Sequence, residues 1–366
     1  MGHFPVGDAT TLADRHRAAE TDRDSVYIET ASTPNWSAGC VTLWSHDAHR
    51  GRRVKDTKVN CSDVRCVQGD VMISPYVRRQ RLAVELRSLR DATGLTHADL
   101  AKRIGQSRMK ITRLENGHTI RDGQAAVMRI IDELGVTGDR WTEIMAVARD
   151  ASERGWWASF GQAMGARQAL YADLEAGASA IAEFQPFIPG LLQTPDFAYQ
   201  RQVAEAEIGP VTFQSQRAVE ARQTRQRMLR RPGGPSYEVV LDEIALRRLS
   251  APPAVVAAQV EHLVAAAGEP QTTVRVLPVT AVVDGYVTPR SAFSLYTYPD
   301  RQDPRVVAVD TVTTDVVLTS LTADVQVTRY ENLYQRLRDA ALDPSESVKF
   351  LTDVAAELPS KQGVAP

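Results

Sequence analysis

Cysteine is scarce and unevenly placed in this 366-residue chain. Cys40, Cys61 and Cys66 all lie in the first 70 residues, and the rest of the chain has none. An odd, clustered set of cysteines does not build a disulfide framework. His46 and His49 lie just upstream, which leaves a zinc site open as an alternative, although the spacing lacks the paired knuckles of structural zinc sites. We therefore expect reduced thiols, no metal and no cofactor.

Long apolar runs and the common catalytic motifs are also missing. No stretch of about 18 or more apolar residues could span a membrane, and the N-terminus lacks the basic and apolar regions of a secretory signal. The sequence has no GxSxG, HExxH or P-loop pattern. These absences favour a cytoplasmic protein that has no membrane contact and is not an enzyme.

Positive charge is concentrated in one part of a slightly acidic chain. The formal net charge is -2, yet residues 74–122 hold 11 Lys and Arg against 5 Asp and Glu, a net of +6. The remainder then has 32 basic against 40 acidic residues, a net of -8. A basic module joined to an acidic body is typical of proteins that bind nucleic acid.

Residues 74–152 have the punctuation of a compact helical domain. The stretch "YVRRQRLAVELRSLRDATG" repeats Leu82, Leu86 and Leu89 at helical spacing and stops at a glycine. Four more helical patterns follow after tight turns: "THADLAKRIG", "QSRMKITRLENG", "DGQAAVMRIIDELG" and "GDRWTEIMAVARDASERGWW". The pattern predicts an N-terminal domain of five short helices.

The second and third of these helices have helix-turn-helix spacing. Ala101 is small enough for a helix crossing, Gly105 suits the turn, and Ile111 packs the second helix on the first. The stretch "LRSLRDATGLTHADLAKRIGQSRMKITRLENG" resembles the XRE family, which includes Cro and phage repressors. The resemblance implies that the helix over 107–116 enters the major groove of double-stranded DNA.

This resemblance assigns particular side chains to DNA. Arg108, Met109 and Arg113 would read bases, because arginine can donate two hydrogen bonds to guanine and methionine can pack on a thymine methyl. The DNA backbone would be contacted by Arg78, Arg79, Thr96, His97, Gln106, Ser107, Lys110, Asn116 and Gly117. The alternative is that these cations form an ordinary solvated face and that the cluster "RRQR" at 78–81 serves solubility alone. His97 replaces a glutamine that many XRE proteins have, and an ordinary neutral surface histidine is the alternative for it.

Five later motifs resemble a narrower family, the WhiJ-like regulators of actinobacteria. In order along the chain they are "ERGWW", "FQPFIPGLLQTPDFA", "VVLDEIALRR", "VRVLP" and "FSLYTYP". Members join an XRE-type head to an uncharacterised C-terminal domain, and many are described as antitoxin-like transcriptional regulators. The resemblance covers about 74–357 and implies a small protein partner that is encoded nearby.

The residues after 152 read as a mixed α+β domain. Helical stretches are predicted at about 166–183, 195–206, 212–230 and 252–267, and a last one in "TADVQVTRYENLYQRLRDAAL". Five strand-like runs are "YEVVLD", "TVRVLP", "SAFSLYTY", "RVVAVD" and "DVVLTS". Because these strands lie close together in sequence, we expect a mostly antiparallel sheet.

The whole sequence therefore predicts four segments and one function. The segments are a disordered extension or mis-assigned start at 1–73, a DNA-binding domain at 74–152, an α+β regulatory or partner-binding domain at 153–358 and a disordered tail at 359–366. The function is that of a sequence-specific, antitoxin-like transcriptional regulator, acting as a homodimer because helix-turn-helix proteins usually bind paired half-sites. The alternative is an enzyme whose C-terminal domain is catalytic and whose head only localises it to DNA.

The first 71 residues are expected to be dispensable, because they have no core pattern and lie outside the family resemblance. A chain that begins at Met72 should unfold at the same temperature as the full chain and bind DNA equally well. Thermal melting followed by circular dichroism, with a DNA-binding titration, measures both. Loss of folding or of DNA binding would contradict this expectation and revive the cysteine cluster as a structural element.

Overall fold

Helices form at the five stretches predicted between residues 75 and 152, and side-chain caps at Ser74, Thr96 and Ser107 begin the first three of them. The computed structural model describes residues 72–208 and 215–358, so the cysteine cluster, the expected tail at 359–366 and all but residues 72 and 73 of the expected extension at 1–73 lie outside the described residues. The first helices, which we call the head, are α1 (Pro75–Ala92), α2 (His97–Arg103), α3 (Arg108–Leu114), α4 (Gly123–Glu133) and α5 (Gly138–Ser152). One apolar core joins them, built around Leu86, Leu100, Ile111, Ile131 and Ile144.

The remaining described residues, which we call the body, combine helices with a six-stranded sheet. The helices are α6 (Gly165–Ala176), α7 (Pro195–Ile208), α8 (Ser215–Leu229), α9 (Ile244–Arg247), α10 (Pro253–Ala267), α11 (Ser320–Ala340) and α12 (Pro344–Glu357). The strands are β1 (Ala180–Gln185), β2 (Ser236–Asp242), β3 (Thr272–Leu277), β4 (Phe293–Thr297), β5 (Val306–Val309) and β6 (Val316–Thr319). Short 3-10 helices cover Trp156–Ala163, Gly190–Leu192 and Asp284–Tyr286.

The sheet is mixed, which corrects the prediction of a mostly antiparallel one. Its strand order is β3-β2-β1-β4-β5-β6. The pairs β1–β2 and β2–β3 are parallel, whereas β1–β4, β4–β5 and β5–β6 are antiparallel. Helices α7 and α8 connect β1 to β2, and α10 connects β2 to β3, and such helical crossovers allow successive strands to run in the same direction.

The source of this error is strand β1 (Ala180–Gln185), whose first residues the sequence pattern predicts as the end of a helix over 166–183. The helix α6 instead ends at Ala176, and β1 occupies the centre of the sheet between β2 and β4. Two of its residues on one face, Glu183 and Gln185, are polar yet buried. Because polar residues normally mark a solvated face, the alternation did not identify a central strand.

Two apolar layers cover the sheet. One face packs on α6, α10 and α12 and includes Tyr237, Val239 and Tyr296. The other face packs on α11 and includes Phe184, Val240 and Phe293. The paired residues Phe184 and Phe293 lie opposite each other on β1 and β4, so their side chains share that second face.

Helix α1 is shared between the head and the body. Its first turn contributes Val77 to the apolar core of the body, whereas Leu82 and Leu86 belong to the core of the head. The carboxylate of Asp173 on α6 accepts hydrogen bonds from the Ser74 hydroxyl at 2.8 Å and from the Tyr76 backbone N–H at 3.0 Å. The described residues accordingly fall within one compact unit.

Carboxylates of the turn between β4 and β5 hold the same helix from another side. Arg78 donates to Asp300 at 3.0 Å and lies 3.4 Å from Asp303. Arg81 lies 2.7 Å from Asp300 and 3.3 Å from Asp303. The Asp303 side chain is only 5% exposed, and burial raises its pKa, so these arginines are the groups that compensate for its lost hydration.

Two further findings concern the described residues alone. In them, no helix combines the length and the apolarity that a membrane span requires. The same residues contain no group of three or more His, Cys, Asp or Glu side chains placed to hold a metal ion.

The Asp303→Asn substitution should destabilise the junction between head and body. The substitution removes the buried carboxylate that pairs with Arg78 and Arg81, while the ion pairs of these arginines with Asp300 remain. We therefore expect the free energy of unfolding to fall by about 1–3 kcal/mol. Urea denaturation followed by circular dichroism measures this loss. Asp339→Asn is the matched control, since Asp339 is exposed on α11, and equal effects of the two substitutions would rule out the junction as a stabilising contact.

Candidate nucleic-acid interface

The turn between α2 and α3 has the geometry that the sequence predicts for a helix-turn-helix. Thr96 caps α2 in a capping box with Asp99, and hydrogen bonds from the Thr96 hydroxyl and backbone lower the pKa of Asp99. Gly105 has a φ of +62° in the turn. A Cβ at that position would meet nothing within 4 Å, so the backbone conformation alone requires glycine. Ser107 then caps α3 by accepting from the Lys110 backbone N–H at 3.3 Å.

One face of α3 is buried in the head and the other is open. Ile111 and Leu114 pack inward, with 0% and 7% exposure. Arg108 and Arg113 are exposed and Met109 is 72% exposed, so the three side chains predicted to read bases are all accessible. Within the described residues no carboxylate pairs with Arg108, whereas Arg113 donates to the Thr119 carbonyl at 3.1 Å.

The residues predicted to contact the DNA backbone fall into two groups. One group lies in α3, in the residues next to its ends or at the cap of α2, namely Thr96, Gln106, Ser107, Lys110, Asn116 and Gly117. Lys110 donates to the Gln106 side chain at 2.9 Å, which places these two polar groups side by side. Gly117 has a φ of +70°, and a Cβ there would lie 2.6 Å from the Gln80 amide nitrogen, so glycine also permits α1 to approach.

The other group, Arg78 and Arg79, is occupied elsewhere. Arg78 pairs with Asp300 and Asp303, and Arg79 lies 3.5 Å from Asp173. Their side chains are 15% and 20% exposed. Both guanidinium groups therefore have anions from the body, and a contact of either one with phosphate would have to share or replace these ion pairs.

His97 also has a partner that the sequence reading did not foresee. Its Nε2 lies 3.0 Å from an oxygen of Glu115, and its side chain is 32% exposed. One ring nitrogen is therefore used inside the head. Any contact of His97 with phosphate would have to use the remaining nitrogen or accompany a loss of the Glu115 contact.

Glu115 is a buried carboxylate that fixes the end of α3. It is 3% exposed, and its two oxygens accept from Arg90 Nε at 2.7 Å and from Arg90 Nη2 at 2.8 Å. This bidentate contact raises the pKa of Arg90, and Arg90 also donates to the Leu95 carbonyl at 2.8 Å. The pair therefore ties the end of α3 to α1 and to the start of α2.

Sequence reasoning missed one cation at this surface, Arg87 on α1. Its guanidinium donates to the Glu115 carbonyl at 2.5 Å and to the Asn116 side chain at 3.3 Å, and its side chain is 45% exposed. The position is two turns after the "RRQR" cluster and carries no local motif. Only the packing of α1 against the end of α3 brings it to the interface.

One buried carboxylate of the body has a strongly raised pKa and belongs to the sheet rather than to α3. Glu183 on β1 accepts hydrogen bonds from the Tyr237 hydroxyl at 2.8 Å and the Ser294 hydroxyl at 3.0 Å. Burial raises the pKa of Glu183 to about 7. Since Glu183 is 3% exposed beneath the helices of the body, these bonds satisfy a polar group inside the core.

Comparison with known families agrees with the two parts of the structure. Residues 81–144 match the model of a helix-turn-helix domain. Residues 168–353, just over half of the chain, match a domain of unknown function, DUF5753. No curated protein and no solved structure matches the chain. The helix-turn-helix domain indicates DNA binding and points to a regulator, and the second match assigns no chemistry to the body.

Glu115→Gln should strongly destabilise the head. The substitution keeps the shape of the side chain but removes the buried, bidentate anion of Arg90 and leaves it the 60% exposed Asp91 at 2.6 Å. We therefore expect a loss of about 1.5–3 kcal/mol in the free energy of unfolding. Glu133→Gln is the matched control, because Glu133 pairs at 3.4 Å with an Arg103 that is 54% exposed, and its loss should cost less than about 1 kcal/mol. Chemical denaturation of both variants tests the anchor, and equal losses would contradict it.

Proposed function

Because the chain belongs to the family defined by the domain of unknown function DUF5753 and carries a helix-turn-helix domain ahead of it, we propose that it is a sequence-specific, DNA-binding transcriptional regulator. The observation that carries this proposal is the open face of α3. It presents Arg108, Met109 and Arg113 on a helix whose opposite face is fixed in the core of the head. A rigid helix with exposed cations is what reading of the major groove requires.

The proposed contacts with DNA divide by the chemistry of the side chains. Arg108, Met109 and Arg113 read base edges, since they can address guanine and the thymine methyl. Phosphates are contacted by Thr96, His97, Gln106, Ser107, Lys110, Asn116 and Gly117, and Arg87 joins this group because it lies beside Asn116. Arg78 and Arg79 are left out, because their ion pairs with the body would have to break first.

Control of the head is assigned to the body. We follow the WhiJ-like resemblance in proposing an antitoxin-like regulator of the XRE type whose body responds to a small partner protein encoded nearby or to a ligand. Two copies would act on one operator, because one short recognition helix reads few base pairs. The packing of α1 supports this assignment. Because α1 contributes side chains to both cores, a conformational change in the body would shift α1 and, with it, the helices of the head.

Arg108→Ala and Lys110→Ala should weaken DNA binding in different ways. Loss of Arg108 should cost about 1–3 kcal/mol on the preferred operator and relax the preference at one base pair. Loss of Lys110 should weaken all sequences equally and reduce the salt dependence of the affinity by about one phosphate. A binding selection on randomised DNA, followed by titrations at several salt concentrations, separates these outcomes. An unchanged sequence preference in Arg108→Ala would refute its role as a reader.

A further inference from the structure

The body has a surface groove on the α11 side of the sheet. The groove has a volume of about 1100 Å³ and runs along α11, with Phe293, Leu318, Tyr330 and Leu333 among its apolar lining residues. It is open to solvent, since Val325 on its wall is 80% exposed. A small molecule is usually buried over most of its surface, so this open groove is better suited to a protein surface.

Exposed apolar side chains cluster in this part of the chain. Of the large apolar side chains that are exposed among the described residues, seven lie between residues 279 and 325: Val279, Val282, Tyr286, Val312, Val316, Leu321 and Val325. Val325 among them lines the groove itself, and Val282 and Tyr286 lie in the loop that leads to the lining residue Val287. Exposed apolar side chains that lie beside a depression are typical of an interaction surface.

The loop beside the groove presents one aromatic residue in a strained conformation. Tyr286 has a φ of +53° and is 89% exposed, and Val282 in the same loop is 74% exposed. A positive φ is costly for a tyrosine, and such strain is typically kept at binding sites. Arg336 on α11 fixes the loop by donating to the Asp284 carbonyl at 3.1 Å. This hydrogen bond holds the loop in place. Because Val287 in the same loop lines the groove, the exposed Tyr286 projects from the edge of the groove.

Two arginines at the groove fit the chemistry of that projection. Within the described residues, Arg290 and Arg329 line the groove and have no carboxylate partner, whereas Arg336 and Asp324 are already paired. An unpaired guanidinium can stack on the face of a tyrosine ring. The groove therefore combines apolar lining residues with two guanidinium groups, on which the ring of an incoming tyrosine could stack.

We propose that this face is the homodimer interface, in which the 282–287 loop of each copy inserts Tyr286 into the groove of the other copy. A two-fold interface needs one surface that is complementary to itself, and a projection adjacent to a matching depression meets that requirement. The loop does not fill the groove of its own chain, because Tyr286 is 89% exposed. The proposal rests on the proposed function, in which two copies share an operator, and it assigns that pairing to the body.

The experiment measures the dimerisation of the full chain by sedimentation equilibrium across a dilution series. Tyr286→Ala removes the projection, and Val325→Glu impairs the groove and places a carboxylate one helical turn before Arg329. Each variant should weaken the dimer about tenfold or more, as expected for an aromatic anchor. Leu249→Ser is the control, because Leu249 is exposed at 55% next to α9, whose Ala245 and Leu246 pack on the opposite face of the sheet.

A mixture of the two variants provides the sharper test. In a two-fold exchange of loops, a heterodimer of Tyr286→Ala with Val325→Glu keeps one intact loop in one intact groove, so mixing should restore part of the dimer that each variant loses alone. No restoration, a monomeric wild-type chain, or a Tyr286→Ala chain that dimerises like the wild type would overturn the proposal. Circular dichroism spectra and melting temperatures equal to those of the wild type establish that the variants are folded.

Binding of the variants to a DNA duplex with one half-site separates this proposal from the proposed function. The monomeric variants should bind that duplex like the wild type, because the loop and the groove lie on the body and the readers lie on α3. If the wild type dimerises, both variants weaken the dimer and no chain binds DNA, the proposed function fails and the interface stands. If DNA is bound and the dimer is unaffected by either variant, the interface fails and the proposed function stands.

Discussion

Helix α1 is anchored at its two ends in different hydrophobic cores, and the position of α3 depends on that anchoring. The helix has 18 residues, which corresponds to a length of about 27 Å. Its start is held by Asp173 and by the carboxylates of the β4–β5 turn. Its later turns hold α3 through Arg90 and Glu115, and Gly117 lies directly against Gln80. Support therefore runs from the sheet to α1 and from α1 to α3, without a flexible linker between them.

The parts of this arrangement that could be predicted are those with local causes. The Ser107 cap, the positive φ of Gly105 and the apolar spacing of α1 depend on residues a few positions apart, and all three form as expected. Strand β1 could not be predicted, because its place is set by pairing with β2, 56 residues later, and with β4, 109 to 117 residues later. Its buried Glu183 is acceptable only because Tyr237 and Ser294 arrive from those strands.

The net charge of the head could be counted from the sequence, whereas the exposure of its individual cations could not. The net charge of +6 over 74–122 correctly drew attention to the head. However, Arg78, Arg81 and Arg90 form ion pairs with carboxylates of the protein itself. The cations that remain exposed around α3 are fewer, and Arg87 among them comes from a helix that the motif does not include. Counting residues gives the sign of the net charge of a segment, and only the fold determines which charged side chains are exposed on its surface.

The shared helix also limits how such a protein can be rearranged in evolution or in the laboratory. A helix-turn-helix head is commonly treated as an exchangeable module, yet here the first turn of α1 is part of the body, with Val77 in its core. A chimera that replaced everything before residue 153 would take Ser74 and Val77 away from Asp173 and its apolar neighbours. A boundary for recombination therefore falls inside α1, between Val77 in the core of the body and Leu82 in the core of the head, and it also has to keep Gln80 against Gly117.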